Sequence, residues 1–330
     1  MSEKFNELPR ASVDAIMIAN ARWPAFLAEH PGAVNTTIGV MIDPVENTPW
    51  QPQTVKSARE KATQEVINSG TFGYQSQTGH SEFLSAAKAQ VFGKELSSQA
   101  DNEILAYQSL GGTGALSLAK DILSSVIKTD KNGAIPMVLD AGWPNHPAVF
   151  SAPFSISRYD HVDSETGEYN HRGALDAFSQ APNNAVFLLQ TCGYNDDGMD
   201  RSNEQWDDVF EIAKDKNAVI VLDSAYMGLV RGYESERYPI EQSVKAGLLT
   251  LVCTSKSKNM GLYNERLGAL FIANAASNFG VEQVPRLDQL AARIVRRTYS
   301  NPPLVAAKAA AIALRQESYF EELEQARNRL

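Results

Sequence analysis

The sequence predicts an α/β protein built on a mostly parallel central sheet flanked by helices. Three observations predict it. Short apolar runs recur through the middle of the chain, amphipathic segments separate them, and polar side chains able to do chemistry stand at the ends of the runs.

The runs are IPMVLDAG (135–142), AVFLLQT (185–191), AVIVLDSAY (218–226), LLTLVCTS (248–255) and GALFIAN (268–274). They are rich in Val, Leu and Ile and do not alternate polar with apolar residues. Strands covered on both faces read this way, because neither face meets water. Between the runs, NEQWDDVFEIAKDK (203–216) carries apolar residues at helical spacing. Strands alternating with helices imply parallel pairing. In such sheets ligands sit at the carboxyl ends of the strands, and Asp223, Tyr226 and Lys258 fall at or just beyond those ends.

The two termini read differently. Residues 1–52 hold the stretch MIDPVENTPW and little strand–helix alternation, and are taken as an N-terminal arm plus part of a small domain. Residues 53–315 make the large domain. QESYFEELEQARNRL (316–330) is an amphipathic helix, acidic early and with Arg327 and Arg329 late, as the helix dipole favours.

Bulk composition narrows the function. With 43% hydrophobic and 21% charged residues, the chain is of ordinary globular type. A net charge of −9 argues against a nucleic-acid surface, which needs clustered Lys and Arg, yet leaves room for a locally basic pocket. No apolar run is long enough to span a bilayer, and the polar start MSEKFNELPR lacks the core of a signal peptide. The two cysteines, Cys192 and Cys253, lie in or beside buried runs and read as small apolar filler rather than a redox or metal pair. A cytoplasmic protein without membrane or nucleic-acid partners is expected.

Three segments carry the chemistry. SLGGTGALSLAKDIL (109–123) is a Gly-rich turn opening an apolar-periodic helix. Free N–H groups and the helix dipole there favour an anion, though a plain turn before a helix reads equally well. VLDSAYMG (221–228) puts Asp223 directly after a buried strand, where a carboxylate can cap a helix or pair with a cationic ring nitrogen. TSKSKNMGLYNERLGAL (254–270) puts Lys256 and Lys258 after a buried strand. Burial removes the charge of a lysine, and a neutral amine can attack a carbonyl. Arg266 can fork onto a phosphate, with Ser255 or Ser257 adding hydroxyl donors.

The run S-x-S-K-N-M-G-L-Y-N-E-R-L-G resembles the lysine signature of class I pyridoxal-phosphate (PLP) aminotransferases of the aspartate/aromatic branch. Further segments follow in family order: TFGYQSQTGHSEF, QSLGGTGALSLAKDIL, AGWPNHPAVF, QTCGYNDDGMD, LDSAYMGLVRG and RRTYSNPP. The resemblance runs from about residue 10 to the end. It implies the fold type I architecture of PLP-dependent transferases, here with an incomplete small domain.

The resemblance also implies roles. Lys258 carries the cofactor and shuttles a proton, which also decides between Lys258 and Lys256. Asp223 pairs with the pyridine nitrogen. Tyr226 and Asn195 contact the ring's phenolic oxygen, and Trp143 stacks on the ring. Gly112, Thr113, Ser255 and Arg266 hold the phosphate. Tyr74 reaches the phosphate of a neighbouring subunit, since family sites lie at a homodimer interface. Arg296 binds the distal carboxylate of a dicarboxylic substrate, also across that interface, and Gly39 lies where a loop closes over it. Singly, Trp143 and Tyr74 suit a core or surface aromatic, Arg296 a solvated helix position and Asn195 a turn.

Four departures stand out. The family carries Pro and Thr after the asparagine, with a cis peptide at the Pro; here Asp196 and Asp197 follow Asn195. A cis bond before a non-proline residue costs about 2.5–4 kcal/mol, so the loop is expected to bear strain or to go trans and move Asn195, altering cofactor electronics or substrate placement. Tyr194 stands where a His is common. Lys256 replaces an aromatic residue; this added cation could bind an anion near the site, and it is rather expected to point to solvent. Finally, a family substrate arginine for the α-carboxylate has no counterpart before Leu330. The chain therefore reads as C-terminally truncated, with 316–330 as the start of an interdomain helix, and is expected to transaminate poorly by itself.

The activity implied is amino-group transfer between an amino acid, aspartate or glutamate or an aromatic one, and a 2-oxo acid, by a ping-pong route through pyridoxamine phosphate. The alternatives are a PLP lyase or decarboxylase on the same fold, and a non-catalytic aminotransferase-like ligand-binding module.

Overall fold

The computed structural model describes residues 15–33, 39–43, 48–70, 73–98, 103–140, 142–195 and 197–329. The chain divides into two compact units, Met1–Trp50 and Gln51–Leu330. The division falls two residues before the expected 52/53 boundary. The last helix lies within the larger unit. In the first unit, helix α1 spans Ala15–Glu29 and an antiparallel bridge joins Ile42 to Pro49.

The second unit is organised by seven strands: β1 Ile104–Leu110, β2 Ile135–Leu139, β3 Phe154–Arg158, β4 Val186–Gln190, β5 Val219–Ser224, β6 Thr250–Ser255 and β7 Leu267–Ala273. They form one sheet in the order β1-β7-β6-β5-β4-β2-β3. All pairings are parallel except those of β7, which runs antiparallel to both β1 and β6. The five apolar runs correspond to β2, β4, β5, β6 and β7. Every residue of β4, β6 and β7 is buried, as continuous apolar runs require. The two strands at the sheet edges, β1 and β3, carry mixed polar and apolar residues and partly exposed positions, so no continuous apolar run marks them.

Helices cover both faces: α2 Gln53–Ser69, α3 Ser81–Ser97, α4 Gly111–Val126, α5 His146–Val149, α6 His171–Gln180, α7 Asn203–Asp215, α8 Tyr233–Glu236, α9 Tyr238–Lys245, α10 Ala275–Phe279, α11 Val284–Thr298, α12 Val305–Ala313 and α13 Glu317–Arg327. The expected 203–216 helix is α7. It opens on a capping box, in which the Ser202 hydroxyl accepts from the Gln205 N–H and the Gln205 side chain accepts from the Ser202 N–H. Helix α4 lays Ala115, Leu116, Ala119, Ile122 and Leu123 against the sheet. Burying each of its larger side chains contributes about 1.5–3 kcal/mol. The alanines of α12 are buried against α2, where Ala58 and Ala62 permit close approach. Helix α13 buries Tyr319, Leu323 and Ala326 and rests on α2, where the Thr54 hydroxyl donates to Glu322 at 2.6 Å. That buried face ties the last helix to the large unit.

Candidate active site

The parallel strands β4, β5 and β6 point their carboxyl ends to one edge of the sheet. Register aligns Gln190 with Asp223, and Asp223 with Cys253. Asp223 is therefore carried at the exit of a central strand, with 4% of its surface exposed. Its carboxylate Oδ2 lies 2.8 Å from Nε2 of His146, at the start of α5, which is also buried. A carboxylate in an apolar interior requires such a partner. His146 lies within AGWPNHPAVF, and its buried pairing across 77 positions leaves no local periodicity that marks it.

Three residues beyond Asp223, the Tyr226 hydroxyl accepts from Nδ2 of Asn195 at 3.0 Å. The structure thus brings these two predicted residues together. Burial raises the Tyr226 phenol above its ordinary value, with the Asn195 bond opposing and the Asp223 charge adding to the rise. Trp143 stands edge-on to the His146 ring at 5.4 Å between centroids. The ammonium of Lys258 lies 5.8 Å from the Tyr226 ring centroid and 5.2 Å from that of Tyr263. Burial lowers the Lys258 pKa from its ordinary value, and the positive charge of Arg266 lowers it further. Both effects favour the neutral, nucleophilic amine.

Gly111, Gly112, Ser255, Ser257 and Arg266 form a second group, suited to an anion. Strand β1 ends at Leu110 and α4 begins at once, with Gly111 at φ +71°. A Cβ on Gly111 would meet Nη2 of Arg266 at 2.5 Å, and one on Gly112 would meet Cβ of Ser255 at 3.1 Å. Only glycines let the helix start, Ser255 and Arg266 converge this closely. Gly268 of β7 sits between Ser109 and Ser255, and its missing side chain leaves room for the Gly111 carbonyl. Arg266 donates through Nη1 to the Ser257 hydroxyl at 3.1 Å, and the Ser257 N–H donates to Ser255 Oγ at 3.1 Å. Helix N–H groups, hydroxyls and a guanidinium around one point suit a phosphate. Thr113 is half-buried on the first turn of α4.

Other expected residues lie elsewhere. Tyr74 is 90% exposed and shares with Arg266 the lining of a cavity of about 570 Å³. Arg296 is exposed on the last turn of α11 and bonds Ser300 on its own segment, not a member of the cluster. Gly39 belongs to the first unit. The Asn195–Asp196 peptide lies outside the described residues.

Lys256 does not point to solvent. It is 1% exposed, and its ammonium donates to Oε1 of Gln90 on α3. Burial lowers its pKa to about 7. Strand β6 is covered on both faces, so the side chain that follows it on the inner side has no route to water.

A second buried centre was not expected. Asp140, just past β2, pairs with Arg201 at 2.6 Å and accepts from the hydroxyls of Tyr159 and Tyr194. The Arg201 guanidinium also lies 4.8 Å from the centroid of the Trp206 ring. Opposite charge and hydroxyl donors hold the Asp140 carboxyl below its ordinary pKa, although burial pushes upward. Tyr194, standing where the family often has a His, is part of this cluster.

Residues 46–330 match the family described as aminotransferase class I and II. The chain is 30% identical over 326 residues to the cytoplasmic aspartate aminotransferase of Schizosaccharomyces pombe, covering 97% of this chain and 76% of that one. It is 31% identical to the aspartate aminotransferase of Escherichia coli, with coverages of 92% and 74%. Among solved structures, the aromatic-amino-acid aminotransferase of Burkholderia pseudomallei, covalently bound to pyridoxal phosphate, superposes with a TM-score of 0.87 at 26% identity, covering 99% of this chain and 79% of that one. The cytoplasmic aspartate aminotransferase of Giardia lamblia gives 0.86 at 25%, with coverages of 99% and 78%. A strand-end carboxylate, a half-buried lysine and a phosphate cradle in one sheet edge agree with that match, and the chain belongs to the class I and II aminotransferases.

Proposed function

We propose that the chain binds pyridoxal phosphate at Lys258 and transfers amino groups between an amino acid and a 2-oxo acid. The observation that carries this reading is the half-buried Lys258, its amine 5.8 Å from the Tyr226 ring centroid and its pKa lowered by burial and by the charge of Arg266. The bound cofactor supplies an electron sink for bonds at the substrate's α-carbon.

Every other contribution comes from the chain. The start of α4 with Gly112 and Thr113, together with Ser255, Ser257 and Arg266, holds the phosphate. The Asp223 carboxylate holds a proton on the pyridine nitrogen, and His146 keeps that carboxylate oriented. Tyr226 and Asn195 act as hydrogen-bond donors to the phenolic oxygen. Trp143 flanks the ring. The Lys258 amine, whose pKa is lowered by burial and by Arg266, anchors the cofactor and moves the proton at the α-carbon.

Similarity to relatives named aspartate aminotransferases favours aspartate, glutamate and their oxo acids, and Arg296 fits that class as a residue offered to the site of a second copy; aromatic amino acids are the second substrate class. A homodimer with shared sites is supported by the exposure of Tyr74 beside Arg266. A cytoplasmic setting is supported by the two free buried thiols and by the cytoplasmic relative, and among the described residues no helix is long and apolar enough to cross a membrane.

The test is the absorbance spectrum of the purified chain with pyridoxal phosphate. A visible band abolished by borohydride, absent in Lys258→Ala and bleached by aspartate is expected. A spectrum in Lys258→Ala identical to that of the unaltered chain would overturn the assignment.

A further inference from the structure

The loop between β4 and α7 carries Asn195 at an exposed position, yet its amide meets the Tyr226 hydroxyl at a defined 3.0 Å. The start of the loop is fixed by Tyr194, whose hydroxyl donates to the buried Asp140. Its end is fixed by Arg201 on the same carboxylate, and by Asp200, whose Oδ1 accepts from the Gly193 N–H at 2.7 Å. Between these ends the backbone turns through Gly198, at φ +74°, whose N–H donates to the Tyr194 carbonyl at 3.0 Å. The Asn195 N–H donates to Oε1 of Gln190 at 3.2 Å.

Besides Asn195, a second described side chain of that turn reaches another segment. Asp197 Oδ2 lies 2.7 Å from Nδ1 of His161, while its Oδ1 accepts from the Met199 N–H at 2.8 Å. His161 is a firm partner. It is 4% exposed, its ring stacks on Tyr194 at 4.1 Å and 21°, and it lies 4.9 Å from the ring of Tyr169. Its backbone carbonyl accepts from the Asn170 N–H at 2.8 Å, tying it to the segment after β3. The tip of the loop is thus pinned to a ring that is itself packed on the loop's own base.

We propose that Asp197 and His161 are positioning residues, whose side-chain pair clamps the 193–200 loop so that Asn195 holds its bond to Tyr226. The inference rests on the cofactor reading above. A loop without a proline keeps its full backbone freedom unless side chains remove it. Here the carboxylate–imidazole pair removes it, one residue beyond the position at which the family carries proline. Releasing Asp197 lets Asn195 leave Tyr226. The donors on the cofactor's phenolic oxygen then weaken, and that oxygen becomes more basic.

The experiment follows the visible absorbance of the chain with bound pyridoxal phosphate across pH, in the unaltered protein, Asp197→Ala, His161→Phe and the double variant. His161→Phe keeps a ring on Tyr194 and removes the bond. Each single variant is expected to raise the titration midpoint by about one unit, and the double variant to raise it no further, because the residues act as one pair. An unmoved midpoint in Asp197→Ala, or additive shifts, overturns the clamp while leaving the cofactor reading intact. If His161→Phe misfolds, Asp197→Ala, altered at a loop position, decides alone. Lack of any band in the unaltered chain sinks the cofactor reading instead. Hydrogen exchange at the Gly198 amide then reads the clamp directly: faster exchange in Asp197→Ala supports it, and unchanged exchange overturns it.

Discussion

Lys256 and Lys258 lie two positions apart and have opposite environments. Lys258 is half-buried at the site, while Lys256 is sealed in the interior against Gln90. The burial of Lys256 has a pH signature whose sign follows from linkage. Its folded pKa is lowered from 10.5 to about 7, so between those values the unfolded chain binds more protons than the folded one. Stability therefore rises with pH across that window, by about 1.4 kcal/mol per unit from this group. Below pH 7 both states are protonated and the full cost of burying the charge is present. Lys256→Met removes the dependence. Urea unfolding at several values between pH 7 and pH 10 should show the unaltered chain gaining stability relative to Lys256→Met. A difference that stays flat with pH contradicts the burial.

At the scale of elements, the junctions between strands and helices decide the site. The β1–α4 junction needs Gly111, whose left-handed backbone and absent Cβ leave Arg266 against the helix start. Gly111→Ala forces the guanidinium aside and strains the turn. The expected result is a pyridoxal phosphate dissociation constant raised about 10- to 100-fold, equivalent to one lost charge-assisted contact, with the fold kept. Fluorescence or absorbance titration of the cofactor measures it, and unchanged affinity would place the phosphate elsewhere. The segment after β5 is held in another way. Glu236 of α8, fully buried, accepts from the N–H groups of Gly228, Val230, Arg231 and Gly232. Four donors compensate the buried carboxylate and freeze the turn that follows Tyr226.

At the scale of the molecule, the large unit holds the candidate residues Lys258, Asp223, Tyr226 and Asn195 together with exposed Tyr74, which lines the same cavity as Arg266. If Tyr74 serves a second copy, sites can be rebuilt by mixing. Tyr74→Ala and Lys258→Ala chains, each impaired in holding or using the cofactor, are expected to regain function when refolded together, up to about a quarter of sites in a random dimer mixture. Sedimentation establishes the dimer first, and conversion of bound cofactor by aspartate measures the recovery. No recovery in a mixed dimer would confine Tyr74 to its own chain.

The sequence by itself determined the central strands and the candidate cluster. Strands β2, β4, β5, β6 and β7 are covered on both faces and leave unbroken apolar runs, and glycine turns, Asp223 and the lysine segment sit at their ends as local patterns. Helix α7 was legible for the same reason, through a local period and cap. Only the tertiary structure decided what depends on distance in sequence. It inserted β7 antiparallel between β1 and β6, paired His146 with Asp223, gathered Tyr159 and Tyr194 around Asp140 and Arg201, and turned Lys256 inward. The edge strands β1 and β3 stayed hidden because half-exposed strands mix residue types. Periodicity reports which face an element buries; which side chain meets which across the core depends on how the elements pack, and no local pattern carries that.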